Sequence, residues 1–208
     1  MGGLCAKQHD HVVKTLVGAF QRESKGGWAV EYNAGNGEDG STHAMIHERL
    51  LRSARQPRNT RGARRDAAKW DEETAELKRL KPDVIIYEGT DKPCPKFKIH
   101  ILEVGYCNDW NWEKKLAEKR EAYRYLVARM KKCGWKVEYK QVALGTRGCV
   151  YKHLADTLKW LGVKNHNTRK KMVKDIALHG AREASRALRT YERLTRTEQG
   201  GGTRIYDG

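Results

Sequence analysis

The first regular pattern along the chain is helical. Apolar and half-polar side chains at positions 9, 13, 16, 17 and 20 fall on one helix face, which predicts a helix over 9–20. A short strand is expected at 28–32. Two apolar runs, 81–88 and 98–106, are joined by a short connection containing glycine and proline. This spacing favours an antiparallel hairpin.

The second half of the chain continues the alternation of helices and strands. A helix is predicted over 111–132, with Gly134 as its stop, and a third strand of the same sheet over 136–144. Helices are predicted over 150–162 and 167–196. The order of elements is typical of an α/β fold with a mixed sheet of three to four strands flanked by helices. The expected organisation is a core at 1–165 with an arginine-rich insertion at 42–79, a basic helical appendage at 166–198 and a flexible tail at 199–208.

Composition excludes several classes of protein. The apolar runs are too short to span a bilayer, no apolar leader segment follows Met1, and a membrane partner is not expected. The five cysteines are odd in number and form no C-x-x-C pair, so reduced thiols are expected rather than a disulfide framework or a self-contained zinc site. One alternative stays open: Cys5, His9 and His11 would be the last ligands of a zinc knuckle that begins upstream.

Charge points to a polyanionic partner. Lys plus Arg is 42 against 26 acids, a net charge of +16. Arginine recurs with a period of three between 49 and 65, which suits a phosphate-contacting extended arm, although a solvated basic loop is the alternative. The expected nucleic-acid contacts are Arg49, Arg52, Arg55, Arg58, Arg61, Arg64, Arg65, Arg147, Arg182, Arg186 and Arg189.

Two acids are expected to meet at one end of the hairpin. Asp83 opens its first strand and Glu103 ends its second, so antiparallel pairing makes them neighbours. Two buried carboxylates repel, and a divalent cation such as Mg²⁺ resolves that repulsion. The alternative is structural: Asp83 caps the strand and Glu103 pairs with a lysine.

A lysine interrupts the apolar face of the helix that must cover this hairpin. The stripe on helix 111–132 begins at Leu116 and continues at Tyr123, and the slot between them holds Lys119. Lys115 borders the same face. A lysine on a buried face has a carboxylate or an anionic ligand as its partner, unless it extends past the sheet edge to solvent. Tyr123 would add core packing, a hydroxyl near the site, or both.

An acid pair and a lysine in a basic protein suggest phosphodiester hydrolysis. Carboxylates that hold Mg²⁺ or Mn²⁺ activate water, and the lysine stabilises the negative charge of the transition state.

These residues resemble the PD-(D/E)xK nuclease signature. Lys81-Pro82-Asp83 is followed about twenty residues later by Glu103, but Gly105 stands where the usual lysine would be. A variant with the lysine in the next helix, followed shortly by a tyrosine, occurs in the restriction-like endonuclease domain of site-specific non-LTR retrotransposons. Lys119 and Tyr123 match that variant.

Three further segments resemble the same family. Gln8 to Val13 is similar to its opening helix, the stretch 143–150 to its Gly-x-Arg-Gly segment, and Ala184-Ser185-Arg186 to a Ser-Arg motif. Two departures are that the second acid is Glu rather than Asp, and that the family's second lysine is Ala122 here. The absence of that second lysine favours Lys119 as the catalytic lysine, with Lys115 in reserve.

The resemblance implies a restriction-endonuclease-like core and a specific activity. It implies a nuclear DNA endonuclease that nicks double-stranded target DNA to prime reverse transcription, within a polyprotein that carries the reverse transcriptase and binds element RNA. Asp83 and Glu103 would bind Mg²⁺ or Mn²⁺, Lys119 would complete the site, and His9 and Glu31 would lie at its periphery. Dimerisation for second-strand cleavage stays open. The alternatives are another nuclease of the superfamily, such as a junction resolvase, or a non-catalytic nucleic-acid-binding module.

Overall fold

The computed structural model describes residues 2–24, 27–34, 44, 46, 48–51, 72–88, 98–108 and 110–200, without the side chains of 2–5, 48–49 and 196–200. The helices are α1 (Gly2–Glu23), α2 (Glu48–Leu51), α3 (72–78), α4 (Trp112–Lys132), α5 (Lys152–Trp160) and α6 (His166–Gly200). The strands are β1 (Trp28–Tyr32), β2 (Val84–Glu88), β3 (Lys98–Cys107) and β4 (Lys136–Gly145). The predicted arginine arm from 49 to 65 lies outside the described residues apart from the backbone of 49 and residues 50–51.

The strands form one mixed four-stranded sheet in the order β1-β2-β3-β4. β1 pairs with β2 and β2 with β3 in antiparallel fashion, which confirms the predicted hairpin. β3 and β4 are parallel. A parallel pair needs a crossover, and α4 provides it. Gly134, at φ 94, lets the chain leave α4 through a conformation that side chains disfavour.

Alternation along the strands divides the core into two layers. One layer contains Val84, Ile86 and Leu102 of the sheet, with apolar residues of α1, α5 and α6. The other contains Ile85 and Ile101, with apolar residues of α4 and α2. Since successive side chains point to opposite faces of a strand, an α/β fold with helices on both faces follows from these apolar runs.

The first half of α6 packs into the α1 layer, although residues 166–198 read in the sequence as a separate appendage. Met172 and Ile176 are buried in that core. Gly148, at φ 89, lies so close to α6 that a Cβ on it would stand 2.5 Å from the carbonyl oxygen of Ala177. The buried Gln8 side chain donates to the carbonyl oxygen of Gly180, 3.0 Å away. Helix α6 therefore contacts both the turn before α5 and α1.

The described part of the chain can be compared with two expectations, one about the cysteines and one about membranes. None of Cys107, Cys133 and Cys149 forms a disulfide there. None of the described helices combines the length and the apolar character needed to cross a membrane.

Candidate active site

Asp83 and Glu103 lie side by side where β2 begins. The backbone amide of Asp83 donates to Oε1 of Glu103 at 3.2 Å, and the amide of Val104 donates to Oδ2 of Asp83 at 2.6 Å. Each carboxylate therefore accepts a hydrogen bond from the backbone of the opposite strand. Both are buried, with 8% of Asp83 and 1% of Glu103 exposed. The geometry is the one expected from antiparallel pairing of this hairpin.

Lys119 reaches this acid pair from α4. Its Nζ lies 2.5 Å from Oε2 of Glu103, and its side chain is 30% exposed, so the lysine is partly open to solvent. The lysine points into the site rather than past the sheet edge. Tyr123, one turn further along, is buried and hydrogen-bonds to Glu103, so it serves both as core and as part of the site.

Two residues of β4 support the lysine. The Tyr139 hydroxyl donates to the backbone carbonyl of Lys119 at 3.1 Å, and its ring stacks on that of Tyr123. Gln141 donates to the Tyr139 hydroxyl at 2.9 Å. These contacts hold the turn of α4 that carries Lys119 against the sheet. Tyr139 and Gln141 were not anticipated from the sequence, although period-two alternation places both on the face of β4 that meets α4.

The pKa values of the site reflect two buried acids that lie close to one ammonium group. Burial, and then the neighbouring Asp83 carboxylate, raise the pKa of Glu103 to about 7 even though Lys119 opposes the shift. Burial lowers the pKa of Lys119, but Glu103 outweighs it and the net direction is upward. Burial and Glu103 also raise the pKa of Tyr123. The ammonium and phenol thus keep their protons at neutral pH, while Glu103 is poised to gain or lose one.

Stability in metal-free buffer is expected to depend on pH through Glu103. Because its folded-state pKa is above that of the unfolded chain, the folded protein binds more protons between these values, and this contribution is lost as pH rises towards 7. Glu103→Gln removes the titration. The wild type should therefore lose stability relative to this variant between about pH 5 and about pH 7.5, by a few kcal/mol, since each pKa unit is worth about 1.4 kcal/mol. Urea denaturation in EDTA at the two pH values measures the difference, and parallel pH dependences of the two proteins would contradict it.

His9 contacts the acid pair from the opposite side of the sheet. Its Nε2 lies 2.9 Å from Oδ1 of Asp83. Burial lowers the pKa of His9, but hydrogen bonding and charge from Asp83 outweigh it, so the pKa is raised. His9 and the Val104 amide thus hold the two oxygens of Asp83. Glu31, the other residue expected at the periphery, lies in β1 opposite Ile85.

Lys115 is placed differently from Lys119. Its Nζ lies 3.5 Å from Glu118 at the surface of α4. Its aliphatic stem covers Gly105, where an added Cβ would lie 3.3 Å from Cγ of Lys115. The stem thus occupies the space beside the position at which the usual nuclease signature has its lysine. Of the two candidate lysines, the structure brings Lys119 to Glu103.

The described arginines among the expected nucleic-acid contacts lie on the surface. Arg147 is exposed on the turn between β4 and α5, and the expected contacts Arg182 and Arg189 are exposed on α6. Arg186 is also exposed and pairs with Glu183 in the same helix. These residues are accessible to a large anionic partner, but they do not enter the site.

The two histidines proposed as trailing zinc ligands have other partners within the fold. His9 binds Asp83, and His11 stacks on His179 with ring centroids 3.7 Å apart. Burial, and then His179, lower the pKa of His11. In the part of the chain that the structure describes, no group of three or more histidine, cysteine, aspartate and glutamate side chains is arranged to hold a metal ion.

Comparisons with protein-family models, with curated proteins and with solved structures find no match for this chain.

Proposed function

We propose that this chain is a metal-dependent DNA endonuclease with a restriction-endonuclease-like core, of the kind found in site-specific non-LTR retrotransposons. The observation that carries the proposal is the convergence of Asp83, Glu103 and Lys119 at one end of the β2–β3 hairpin. Acids from adjacent strands and a lysine from the covering helix form the constellation that phosphodiester hydrolysis requires.

A purely structural ion pair explains only part of this arrangement. Lys119 and Glu103 alone would be a buried salt bridge, and such pairs occur for structural reasons. The second buried acid is what a structural pair does not need, because Asp83 raises the pKa of Glu103 and so opposes its ionisation. A titrating group whose pKa is perturbed by burial and by a specific charged neighbour is a candidate for a functional site.

The donor set fits a hard divalent cation. Carboxylate oxygens are the ligands that Mg²⁺ and Mn²⁺ prefer, and Mg²⁺ sites often use one or two carboxylates together with substrate phosphates and water. Asp83 and Glu103 would hold such an ion, with the remaining positions left to oxygens outside the protein. When bound, the ion would supply Lewis-acid stabilisation and a water molecule of lowered pKa.

The protein's own groups have distinct roles in this proposal. The ammonium group of Lys119, on a side chain that is partly exposed, donates hydrogen bonds to a phosphate oxygen as negative charge develops in the transition state. Tyr139 keeps the lysine-bearing turn in place, and His9 with the Val104 amide orients Asp83. Tyr123 donates to Glu103 and so favours its ionised form. Such preorganisation lowers the reorganisation needed at the reacting phosphate.

The wider context of the proposal comes from the sequence resemblance and the charge. A net charge of +16 supports a double-stranded DNA target, and element RNA is a second polyanion of the same kind. Nicking would expose a 3′ end in the nucleus for the reverse transcriptase region of the same polyprotein. Cleavage of the second strand would involve a dimer or a second binding event.

The test is nicking by the purified chain. Supercoiled plasmid should be converted to the open-circular form in Mg²⁺ or Mn²⁺ but not in EDTA. Salt-sensitive DNA binding without any nicking in either metal would contradict the enzyme and favour a non-catalytic binding module. Structure-selective cutting of four-way junctions by an obligate dimer would favour a junction resolvase instead.

A further inference from the structure

Three aromatic side chains stack where β4, α4 and α5 approach one another. The rings of Trp112 and Tyr151 have centroids 5.2 Å apart, and His153 lies 5.6 Å from both. The ring planes are within 30° of parallel. The backbone amide of Ala143 donates to Nε2 of His153 at 2.8 Å, which anchors the cluster to β4. The result is a rigid set of half-buried rings.

A fourth aromatic residue precedes this cluster in the chain and is exposed to solvent. Trp110 lies two residues before Trp112 and is 78% exposed. A backbone hydrogen bond of 2.9 Å from Asn111 to Asn108 holds its loop in a turn. Tryptophan exposed to this extent is unusual, because burying an indole ring is strongly favourable, and an exposed ring on a defined turn is available to a binding partner.

The aromatic cluster and the acid–lysine site are joined by one face of α4. Trp112, Lys115 and Lys119 follow one another at spacings of three and four residues, so they lie along the same side of the helix. The rise of a helix places Trp112 about 10 Å from Lys119 along its axis. Along β3 the distance from Glu103 to Cys107 is about 13 Å. At the stacked rise of about 3.4 Å per nucleotide, a strand of DNA covers either distance in roughly three or four nucleotides.

The charge around the rings complements a phosphate backbone. In the first turn of α4, in the turn before α5 and in α5 itself, the exposed basic side chains are Lys114, Arg147, Lys152 and Lys159, and the exposed acids are Glu113 and Asp156. Lys115 lies between the cluster and Lys119. Aromatic rings interleaved with basic residues are typical of surfaces that bind single-stranded nucleic acid, because rings stack on bases while the cations contact phosphates.

We propose that Trp110, together with the nearby half-buried rings that begin two residues later at Trp112, forms a stacking platform for an unpaired base in the DNA strand that leads to the cleavage site. This inference depends on the proposed DNA endonuclease function and makes it more specific. The substrate is DNA that is locally unpaired three or four nucleotides from the cut, rather than a regular duplex. Stacking tolerates any base, so the platform selects structure and not sequence.

Binding measurements in EDTA test the platform without requiring cleavage. The probes are a short DNA duplex and the same duplex with a central unpaired stretch that contains 2-aminopurine. Trp110→Ala should weaken binding to the unpaired probe by roughly 5- to 100-fold, which corresponds to the loss of one base–aromatic stack. Binding to the regular duplex should change by less than about twofold, since phosphate contacts dominate there. Wild-type protein should quench 2-aminopurine fluorescence, and the variant should not.

Tyr125→Ala is the matched control, because Tyr125 is an aromatic residue of α4 that is 64% exposed and stacks only with Arg124 among the contacts described. This variant should bind both probes as the wild type does. Equal weakening on both probes by Trp110→Ala, or no weakening on either, would overturn the platform. Trp110-dependent binding of the unpaired probe by a protein that never nicks would uphold the platform and overturn the endonuclease. Nicking by a protein that binds the unpaired probe equally well without Trp110 would uphold the endonuclease and overturn the platform.

Discussion

Asp83→Asn is expected to slow Mg²⁺-dependent nicking by roughly 10³-fold while DNA binding in EDTA stays within about twofold of the wild type. Asparagine keeps the size of the side chain and an oxygen that can accept from the Val104 amide, so the local fold is retained. The change removes one of the two negative charges that would hold the metal ion. Plasmid nicking rates and filter binding measure the two effects separately.

The control for this variant is Glu76→Gln, which neutralises an exposed carboxylate on α3. It should nick at the wild-type rate. Nicking by Asp83→Asn at a rate near that of the wild type would contradict the assignment of Asp83. A loss of binding together with the loss of nicking would show that the residue acts through the fold, and a thermal melt of the variant would reveal this.

Lys119→Met is expected to slow nicking by roughly 10²- to 10³-fold, the usual effect of removing one donor from a transition-state site. Lys119 is the cation that keeps the pKa of Glu103 from rising further. Its loss should therefore also move the pH of half-maximal nicking upward, because Glu103 must be ionised to hold a metal ion. Lys119→Arg should retain part of the activity. Nicking rates across a pH series measure both effects.

Lys115→Met provides the comparison within the same helix. Its ammonium group pairs with surface Glu118, so its loss should change the rate by no more than a few-fold and leave the pH profile in place. A larger loss in Lys115→Met than in Lys119→Met would reverse the assignment. A rate loss in Lys119→Met with no change in pH profile would mean that the lysine does not act on Glu103.

Regular secondary structure made the main residues of the candidate site predictable from the sequence. Apolar runs separated by a short connection predicted the β2–β3 hairpin, and antiparallel register then brought Asp83 beside Glu103. A gap in the helical stripe of α4 identified Lys119 as a residue facing the sheet. Both inferences work because strand and helix periods are local properties of the backbone.

Other parts of the site depend on contacts between distant segments. His9 meets Asp83 only because α1 lies against the opposite face of the sheet, and Tyr139 meets Lys119 only because β4 is parallel to β3. The close approach of Gly148 to α6 and the stacking of Trp112 on Tyr151 also join segments that are far apart in the chain. No periodicity within one element specifies such pairs.

The sequence by itself thus determined the elements, the antiparallel hairpin, the acid pair and the lysine that faces it, because hydrophobic period and hairpin register act over short stretches of chain. Only the tertiary structure decided what holds Asp83 and that Lys115 pairs with Glu118 at the surface. The same is true of the pKa of Glu103, which burial and its neighbours raise to about 7. These properties arise from packing and desolvation, and both depend on how segments far apart in the chain are brought together.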